Sequence, residues 1–189
     1  LNSKVQVNAA IFHQIWDDMQ FPQVYQNSAG QTFSIVENRG SARIDGVQVD
    51  ALWTPIQDLR LRGTFFYNDG EYTNYCSGNF ALLMLRSDLP APNNCIFVNG
   101  NSLENVPART QSLSGDYERH LTGDWEWFAR ASYQYQSRMW NEEWNWSWSQ
   151  SLTTFTGGLG VRNGSFKAEL YCRNCSDEKG PGRIGRSTD

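Results

Sequence analysis

The stretch that decides the fold is Asp124-Trp-Glu-Trp-Phe-Ala-Arg-Ala-Ser-Tyr-Gln-Tyr-Gln136. Its odd positions are apolar or aromatic, with two tryptophans at the start and two tyrosines at the end, whereas most even positions are polar. A period of two predicts a β-strand with two different faces. One face carries Glu126 and Arg130, which would be costly in lipid but acceptable in a wet lumen. The other has alanines in its middle and aromatic rings at its ends, which is typical of a strand that crosses a membrane.

The same alternation recurs along the chain and predicts about seven strands. Besides the first stretch, the predicted strands are Ser3–Ile15, Val47–Trp53, Leu59–Asp69, Gln111–Arg119, Ser151–Arg162 and Ser165–Arg173. No helical stripe of comparable length accompanies them. The sequence therefore predicts an all-β fold, an antiparallel meander.

Short and long connections alternate between the predicted strands. The short ones are Thr54–Asp58, His120–Gly123 and the dipeptide Asn163-Gly164, which is a strong hairpin signal. The long ones are roughly Asp17–Glu37, Gly70–Val106 and Ser137–Gln150. A soluble sandwich usually has hairpin loops of about 2–5 residues. The alternation instead indicates a transmembrane β-barrel with short periplasmic turns and long extracellular loops, and it predicts that both chain ends lie near the periplasmic side.

Composition excludes several other classes of protein. The chain has 189 residues, enough for one domain or for part of a larger one. Its mean hydropathy is −0.60, and its longest apolar run, Phe80–Leu85, is far shorter than the roughly 20 residues of a membrane-spanning helix. Aromatic residues make up 14% of the chain, which argues against disorder. A formal net charge of −4 without a basic run argues against nucleic-acid binding.

Five segments, in this order, resemble motifs of the TonB-dependent outer-membrane receptors. They are Asn8–Gln20, with its Trp-Asp-Asp entry into a loop; Glu37–Asp50, similar to an Asn-x-Gly-x-Ala-x-x-x-Gly strand; Leu59–Tyr72; Val106–Thr110; and Leu170–Glu178, similar to an Asn-Leu-x-Asp element. Cys175 stands where that element usually has Leu. Taken together, the segments make the chain similar to the C-terminal part of the β-barrel of these receptors.

The resemblance implies a location in the bacterial outer membrane, contact with its lipid, and energy-dependent uptake of scarce ligands. Ferric siderophores, vitamin B12 and oligosaccharides are examples of such ligands. Energy reaches these receptors through the TonB system and a plug domain that has no counterpart in this sequence. Because the family barrel has about 22 strands, seven strands amount to about a third of it. We therefore expect residues 1–179 to be a C-terminal fragment of the barrel, followed by an irregular polar tail at residues 180–189.

The densest aromatic run, Met139–Trp148, lies in the last long connection. In an extracellular loop its tryptophan faces could stack on a sugar ring or on an aromatic siderophore, with polar and acidic side chains beside them. The alternative interpretation is an interface girdle or packing within the loop. The candidate ligand-binding residues are Trp140, Glu142, Glu143, Trp144, Trp146 and Trp148.

The four cysteines fall into two pairs. Cys76 and Cys95 lie in one long connection, and in the oxidising compartment that the resemblance implies we expect a disulfide rather than two free thiols. Cys172 and Cys175 form a lone C-x-x-C, without the second ligand pair of a zinc site or the βαβ context of a redox motif. We interpret this pair as incidental, whether bridged or free.

Nothing in the sequence favours catalysis, a metal or a cofactor. No G-x-S-x-G, H-E-x-x-H or phosphate-binding loop occurs, so we assign no catalytic residue. The competing hypothesis is a secreted soluble β-sandwich that binds carbohydrate through the Trp-rich loop. A sandwich would bury the face of Trp125 and Ala129 against a second sheet, whereas a barrel would expose that face to lipid.

Overall fold

The computed structural model describes residues 4–26, 29–38, 40–84 and 95–180. In chain order, the elements of these residues are β1 (Val5–Trp16), β2 (Gln20–Gln26), β3 (Thr32–Asn38), β4 (Ser41–Ile56), β5 (Leu59–Asn74), β6 (Cys76–Ser77), α1 (Gly78–Leu83), β7 (Ile96–Phe97), β8 (Arg109–Thr122), β9 (Trp125–Gln136), β10 (Met139–Trp140), β11 (Trp148–Ser149), β12 (Leu152–Arg162) and β13 (Lys167–Cys172). The predicted polar tail after residue 180 lies outside the described residues, as does Leu85 of the apolar run.

Seven strands form one antiparallel sheet in the order β1-β4-β5-β8-β9-β12-β13, and we call them the wall strands. Each wall strand pairs with the next wall strand along the chain, so the sheet is an up-and-down meander. The all-β prediction of about seven strands is confirmed. Three further pairs, β2–β3, β6–β7 and β10–β11, form two-stranded sheets within the long connections, where the sequence pattern predicted none.

The register gives the sheet two faces of opposite chemistry. One row of paired residues across six wall strands is Val7, Ala51, Gly63, Leu113, Tyr133 and Phe155. The adjacent row, on the other face, is Asn8, Asp50, Thr64, Ser112, Gln134 and Thr154. We call these the apolar face and the polar face. Large apolar side chains are exposed on the apolar face: Ile11 is 86% exposed and Leu170 is 81% exposed. Because exposing so much apolar surface to water is unfavourable, this face requires an apolar medium.

The short turns and the long connections lie at opposite edges of the sheet, which we call the short-turn edge and the long-loop edge. At the short-turn edge, the Asn163 side chain accepts hydrogen bonds from the N–H groups of Ser165 (3.0 Å) and Phe166 (2.9 Å) and shapes the β12–β13 turn. Because the wall strands are odd in number, β13 runs away from this edge. The expectation that both chain ends lie on the short-turn side holds for β1 but is wrong for β13.

Two wall strands reach beyond the apolar band at the long-loop edge. Strands β4 and β5 have 16 residues each, more than the roughly 9–11 that cross a bilayer. Past Tyr67 the apolar face becomes charged, since His13 lies 2.6 Å from Asp45 and Arg43 lies 2.8 Å from Glu71. The band that suits hydrocarbon therefore ends before β4 and β5 meet the long connections.

The sandwich hypothesis fails on the apolar face. Within the described ranges no second sheet covers that face, whose exposed residues include Leu113 at 56% and Leu159 at 55%. Helix α1 has 6 residues, and no described helix is long and apolar enough to cross a bilayer.

Candidate functional site

The long connections share one small hydrophobic core beyond the long-loop edge. Its buried members come from the first and second connections and from the ends of β4 and β5: Met19, Ala42, Tyr72, Tyr75, Val98 and Leu103. The Phe21 ring of β2 stacks on Tyr75 with centroids 4.6 Å apart. Trp144, from the third connection, packs against the same core. The three connections are therefore one packed unit, and we call their described parts, within residues 17–40, 75–108 and 137–151, the loop cap.

Asn145 joins the second and third connections. Its side-chain Oδ1 accepts the N–H of Ser102 at 2.8 Å, and its Nδ2 donates to the carbonyl of the same residue at 3.0 Å. Asn145 has a positive φ of 56°, which Asn tolerates better than most residues. A further bond runs from Asn101 Nδ2 to the carbonyl of Glu143 at 2.9 Å. These directed bonds fix how the two connections sit against each other.

Glu142 and Glu143 are turned into the loop cap, where they are 8% and 7% exposed. Glu143 Oε1 accepts a hydrogen bond from the hydroxyl of Ser77 at 2.7 Å. Glu142 accepts two bonds from Ser147, one from its N–H at 2.7 Å and one from its hydroxyl at 2.6 Å. Both carboxylates thus hold the third connection in shape, and neither faces open space.

The four tryptophans of the third connection separate into two groups. Trp144 stacks on the Phe80 ring of α1 at 5.4 Å, and Trp146 meets the same ring edge-on at 5.1 Å. Trp140 and Trp148 meet each other edge-to-face at 5.6 Å across the β10–β11 pair. The first group anchors α1 to the third connection. Each group has one half-buried ring and one exposed ring, since Trp146 is 49% exposed and Trp148 is 47% exposed.

Arg138 completes the second group, and the sequence pattern did not single it out. Its guanidinium carbon lies 5.3 Å from the Trp140 ring and 5.6 Å from the Trp148 ring, within the range of cation–π attraction. We call Arg138, Trp140 and Trp148 the tryptophan–arginine patch. A basic residue two positions before the first tryptophan of an aromatic hairpin is the sequence signal that would have identified Arg138.

Both cysteine pairs are bridged in the structure. Cys76 and Cys95 join within the second connection, with their Cα atoms 5.3 Å apart. Cys172 and Cys175 join at the end of β13. Among the described residues, no group of three or more His, Cys, Asp or Glu side chains is placed to hold a metal ion.

Tyr72 lies at the base of the loop cap and is 1% exposed. It stands beyond the charged residues that end the apolar band. Burial, followed by the nearby carboxylates of Glu104 and Glu143, raises the pKa of the Tyr72 hydroxyl well above its usual range. The hydroxyl therefore stays a neutral phenol and does not become an anionic ligand.

Solved outer-membrane receptors share this fold. The ferric yersiniabactin uptake receptor FyuA from Yersinia pestis matches with a TM-score of 0.73 and 16% identity, over 100% of this chain and 25% of that chain. The siderophore receptor PiuA from Acinetobacter baumannii matches with a TM-score of 0.69 and 18% identity, over 97% of this chain and 23% of that chain. The copper transporter OprC matches with a TM-score of 0.59 and 16% identity, over 96% and 25%. The chain thus spans about a quarter of the length of these structures. No curated protein sequence matches it.

One family model covers most of the chain. The family described as "TonB dependent receptor-like, beta-barrel" matches residues 1–174. Members of this family are located in the bacterial outer membrane and are transporters rather than enzymes. The match and the seven-stranded meander agree with the predictions of family, fold and location. The chain belongs to the TonB-dependent receptor β-barrel family.

Proposed function

We propose that the chain forms part of the wall and of the extracellular vestibule of a receptor that takes up a scarce ligand. The observation that carries this proposal is the loop cap, in which three long connections pack on one core at the long-loop edge. Independent loops would each adapt separately to a ligand, whereas a packed unit offers a preformed surface, which reduces the ordering cost of binding.

The wall strands suit the C-terminal portion of a barrel, and we assign this role to residues 1–179. In this arrangement the apolar face contacts outer-membrane lipid and the polar face lines the lumen. The outer strands β1 and β13 each pair with one neighbour in the described sheet. Because an open strand edge is costly at lipid depth, further strands of the receptor would pair there.

The energy for uptake would come from the TonB system. Family membership supports this partner, which would act through a plug domain inside the complete barrel. In this proposal the TonB system supplies the energy, and the residues described here hold and guide the ligand. They perform no chemistry on it.

The tryptophan–arginine patch is the surface we propose for first capture of the ligand. Trp148 is exposed, and Arg138 lies against both tryptophan rings, so the patch can stack on a planar or ring-shaped group and donate hydrogen bonds to it. Trp144 and the two glutamates would support the patch from within the loop cap. Ferric siderophores, vitamin B12 and oligosaccharides are the ligand classes we propose. Of the similar structures, PiuA is a siderophore receptor and FyuA is a ferric yersiniabactin uptake receptor.

The experiment measures uptake by cells that make the full receptor, with and without a functional TonB gene. Radiolabelled ferric siderophores, vitamin B12 and oligosaccharides serve as probes. We expect at least one probe to accumulate only when both the receptor and TonB are present. Equal entry of every probe in the absence of TonB would contradict the proposed function.

A variant series tests the patch itself. We expect Trp148→Ala to weaken ligand binding by about tenfold, because one stacked ring contributes roughly 1–1.5 kcal/mol. Trp148→Phe should retain most of the affinity because it keeps an aromatic face. Trp125→Ala, at the short-turn edge, is the control and should leave binding unchanged. If Trp148→Ala binds as tightly as the native receptor, the patch is not the capture surface.

A further inference from the structure

The polar face divides into two zones of different charge on β8, β9 and β12. Near the short-turn edge lies a charged zone. There Arg162 pairs with Glu118 and Glu126, each at 3.0 Å, and Arg130 pairs with Glu169. Asp116 and Arg130 are partners in the register. Between this pair and the long-loop edge, the polar face of these three strands carries no charged residue. We call this part the neutral zone, and its three rows are Ser114, Ser132 and Thr156; Ser112, Gln134 and Thr154; and Thr110, Gln136 and Leu152.

A groove of about 240 Å³ lies over the upper two rows of the neutral zone. Four adjacent wall strands contribute hydroxyl and amide side chains of the polar face to its lining: Thr64, Thr110, Ser112, Gln134, Gln136 and Thr154. Gln111, Tyr135 and Leu152 complete the lining. No charged residue lines the groove. A cavity at the short-turn edge differs in this respect, since its lining includes Arg60, Arg62, Asp116, Glu118 and Glu126.

The groove lies directly below the loop cap. Gln136 Nε2 donates a hydrogen bond to Sδ of Met139, the residue that precedes Trp140. Within the groove, the hydroxyls of Thr64 and Ser112 bond to each other at 2.8 Å. Gln134 is exposed and Thr154 is half-buried, and both line the groove.

We propose that the groove is a binding station for the uncharged, hydroxyl-rich part of a ligand, and that this ligand is a neutral oligosaccharide. Hydroxyls and amides both donate and accept, so they match sugar hydroxyls at several points. Each such bond replaces a bond to water, and its net strength is therefore small. A binding site made of several weak hydrogen bonds can hold a ligand and still release it. A transport pathway requires both properties. The inference rests on the proposed function and narrows its ligand class.

The test compares two trisaccharides on the full receptor in detergent. The probes are maltotriose, which is neutral, and trigalacturonate, which has the same number of rings and three carboxylates. Saturation-transfer NMR and calorimetric titration measure binding. We expect maltotriose to bind at millimolar concentration and trigalacturonate to bind more weakly. Absence of maltotriose binding, or tighter binding of trigalacturonate, would overturn the inference.

Two near-isosteric variants locate the station, and both come with a matched control. Thr154→Val and Gln134→Leu remove polar groups that line the groove, and each should weaken maltotriose binding about threefold to tenfold. Thr153→Val is the control, because Thr153 lies on the apolar face of the same strand. If all three variants bind maltotriose like the native receptor, the station is elsewhere and the inference is wrong.

The same variants distinguish this inference from the proposed function. If Trp148→Ala impairs TonB-dependent uptake while Thr154→Val and Gln134→Leu leave maltotriose binding unchanged, the receptor function stands and the groove assignment fails. If the groove variants weaken maltotriose binding while no probe depends on TonB, the binding station stands and the proposed uptake function fails.

Discussion

The side-chain amide of Asn145 bonds to both backbone polar groups of Ser102, accepting its N–H at 2.8 Å and donating to its carbonyl at 3.0 Å. The two residues are 43 positions apart and belong to different long connections. The amide side chain of Asn145 thus makes the same pair of hydrogen bonds with Ser102 that a neighbouring β-strand would make. The second and third connections are therefore held in one relative position, and the tryptophan–arginine patch belongs to the third connection.

We predict that Asn145→Ala opens this junction. The substitution removes both bonds and places a residue with a Cβ at φ 56°, so local stability should fall by about 2–3 kcal/mol. Hydrogen exchange of the Ser102 amide, which loses its acceptor, measures the change. Asn145→Gly is the matched variant because it removes the same bonds but tolerates the positive φ. Equal exchange rates in the native receptor and in both variants would show that the junction has no role in holding the loop cap.

A second prediction concerns the buried hydroxyl of Ser77, which has two functions in the loop cap. It donates to Glu143 at 2.7 Å and accepts the N–H of Phe80 at 2.9 Å, as a residue preceding a helix does. Ser77→Ala leaves a buried carboxylate oxygen without that donor, so we expect a local loss of about 2–4 kcal/mol. Hydrogen exchange of the Phe80 amide checks this, and Ser114→Ala, on the polar face of β8, is the control.

A double-mutant cycle separates the two functions of Ser77. Glu143→Ala removes the acceptor of the Ser77 hydroxyl, so the coupling with Ser77→Ala reports the Ser77–Glu143 bond. A coupling energy near zero would mean that Ser77 acts only through the start of α1.

The Cys76–Cys95 bridge gives a third prediction, which concerns the second connection. Its cysteines are 19 residues apart, and closing a loop of that length stabilises the folded form by about 3 kcal/mol in the chain-entropy description. We expect the double variant Cys76→Ser/Cys95→Ser to be cut faster by protease in residues 75–108, with the wall strands unaffected. Ser77 follows Cys76 directly, so the contact with Glu143 should loosen as well.

The second cysteine pair provides the control for that experiment. Cys172→Ser/Cys175→Ser removes a bridge at the end of β13, which is not part of the loop cap. It should leave proteolysis of residues 75–108 unchanged. If both double variants, or neither, accelerate cleavage there, the bridge of Cys76 and Cys95 does not stabilise the loop cap.

The wall could be predicted from the sequence because its signal is local. Alternation places Leu113 and Ser114 on opposite faces whatever their neighbours are, and the structure has that arrangement. The loop cap could not be predicted in the same way. From the sequence alone, Glu143 is expected to be a surface carboxylate. Its partner Ser77 is 66 residues away, so the local sequence does not indicate their contact. The tryptophans of the third connection look alike in the sequence, and only the position of Phe80 separates Trp144 from Trp148. The role of the six candidate residues in ligand binding remains a prediction.

The fourth prediction tests the orientation of the wall with two adjacent residues. Leu113 is 56% exposed on the apolar face, where it pairs with Gly63 and Tyr133, and Ser114 follows on the polar face. In a bilayer, Leu113→Arg should cost about 1–3 kcal/mol, because a charge on the lipid face between mid-depth and the interface lacks solvation. Ser114→Arg should cost much less, because its side chain reaches the lumen. The measurement is the fraction of receptor that becomes heat-modifiable in outer-membrane fractions. If the Leu113 variant assembles as well as the Ser114 variant, the apolar face does not meet lipid and the proposed orientation of the barrel wall is wrong.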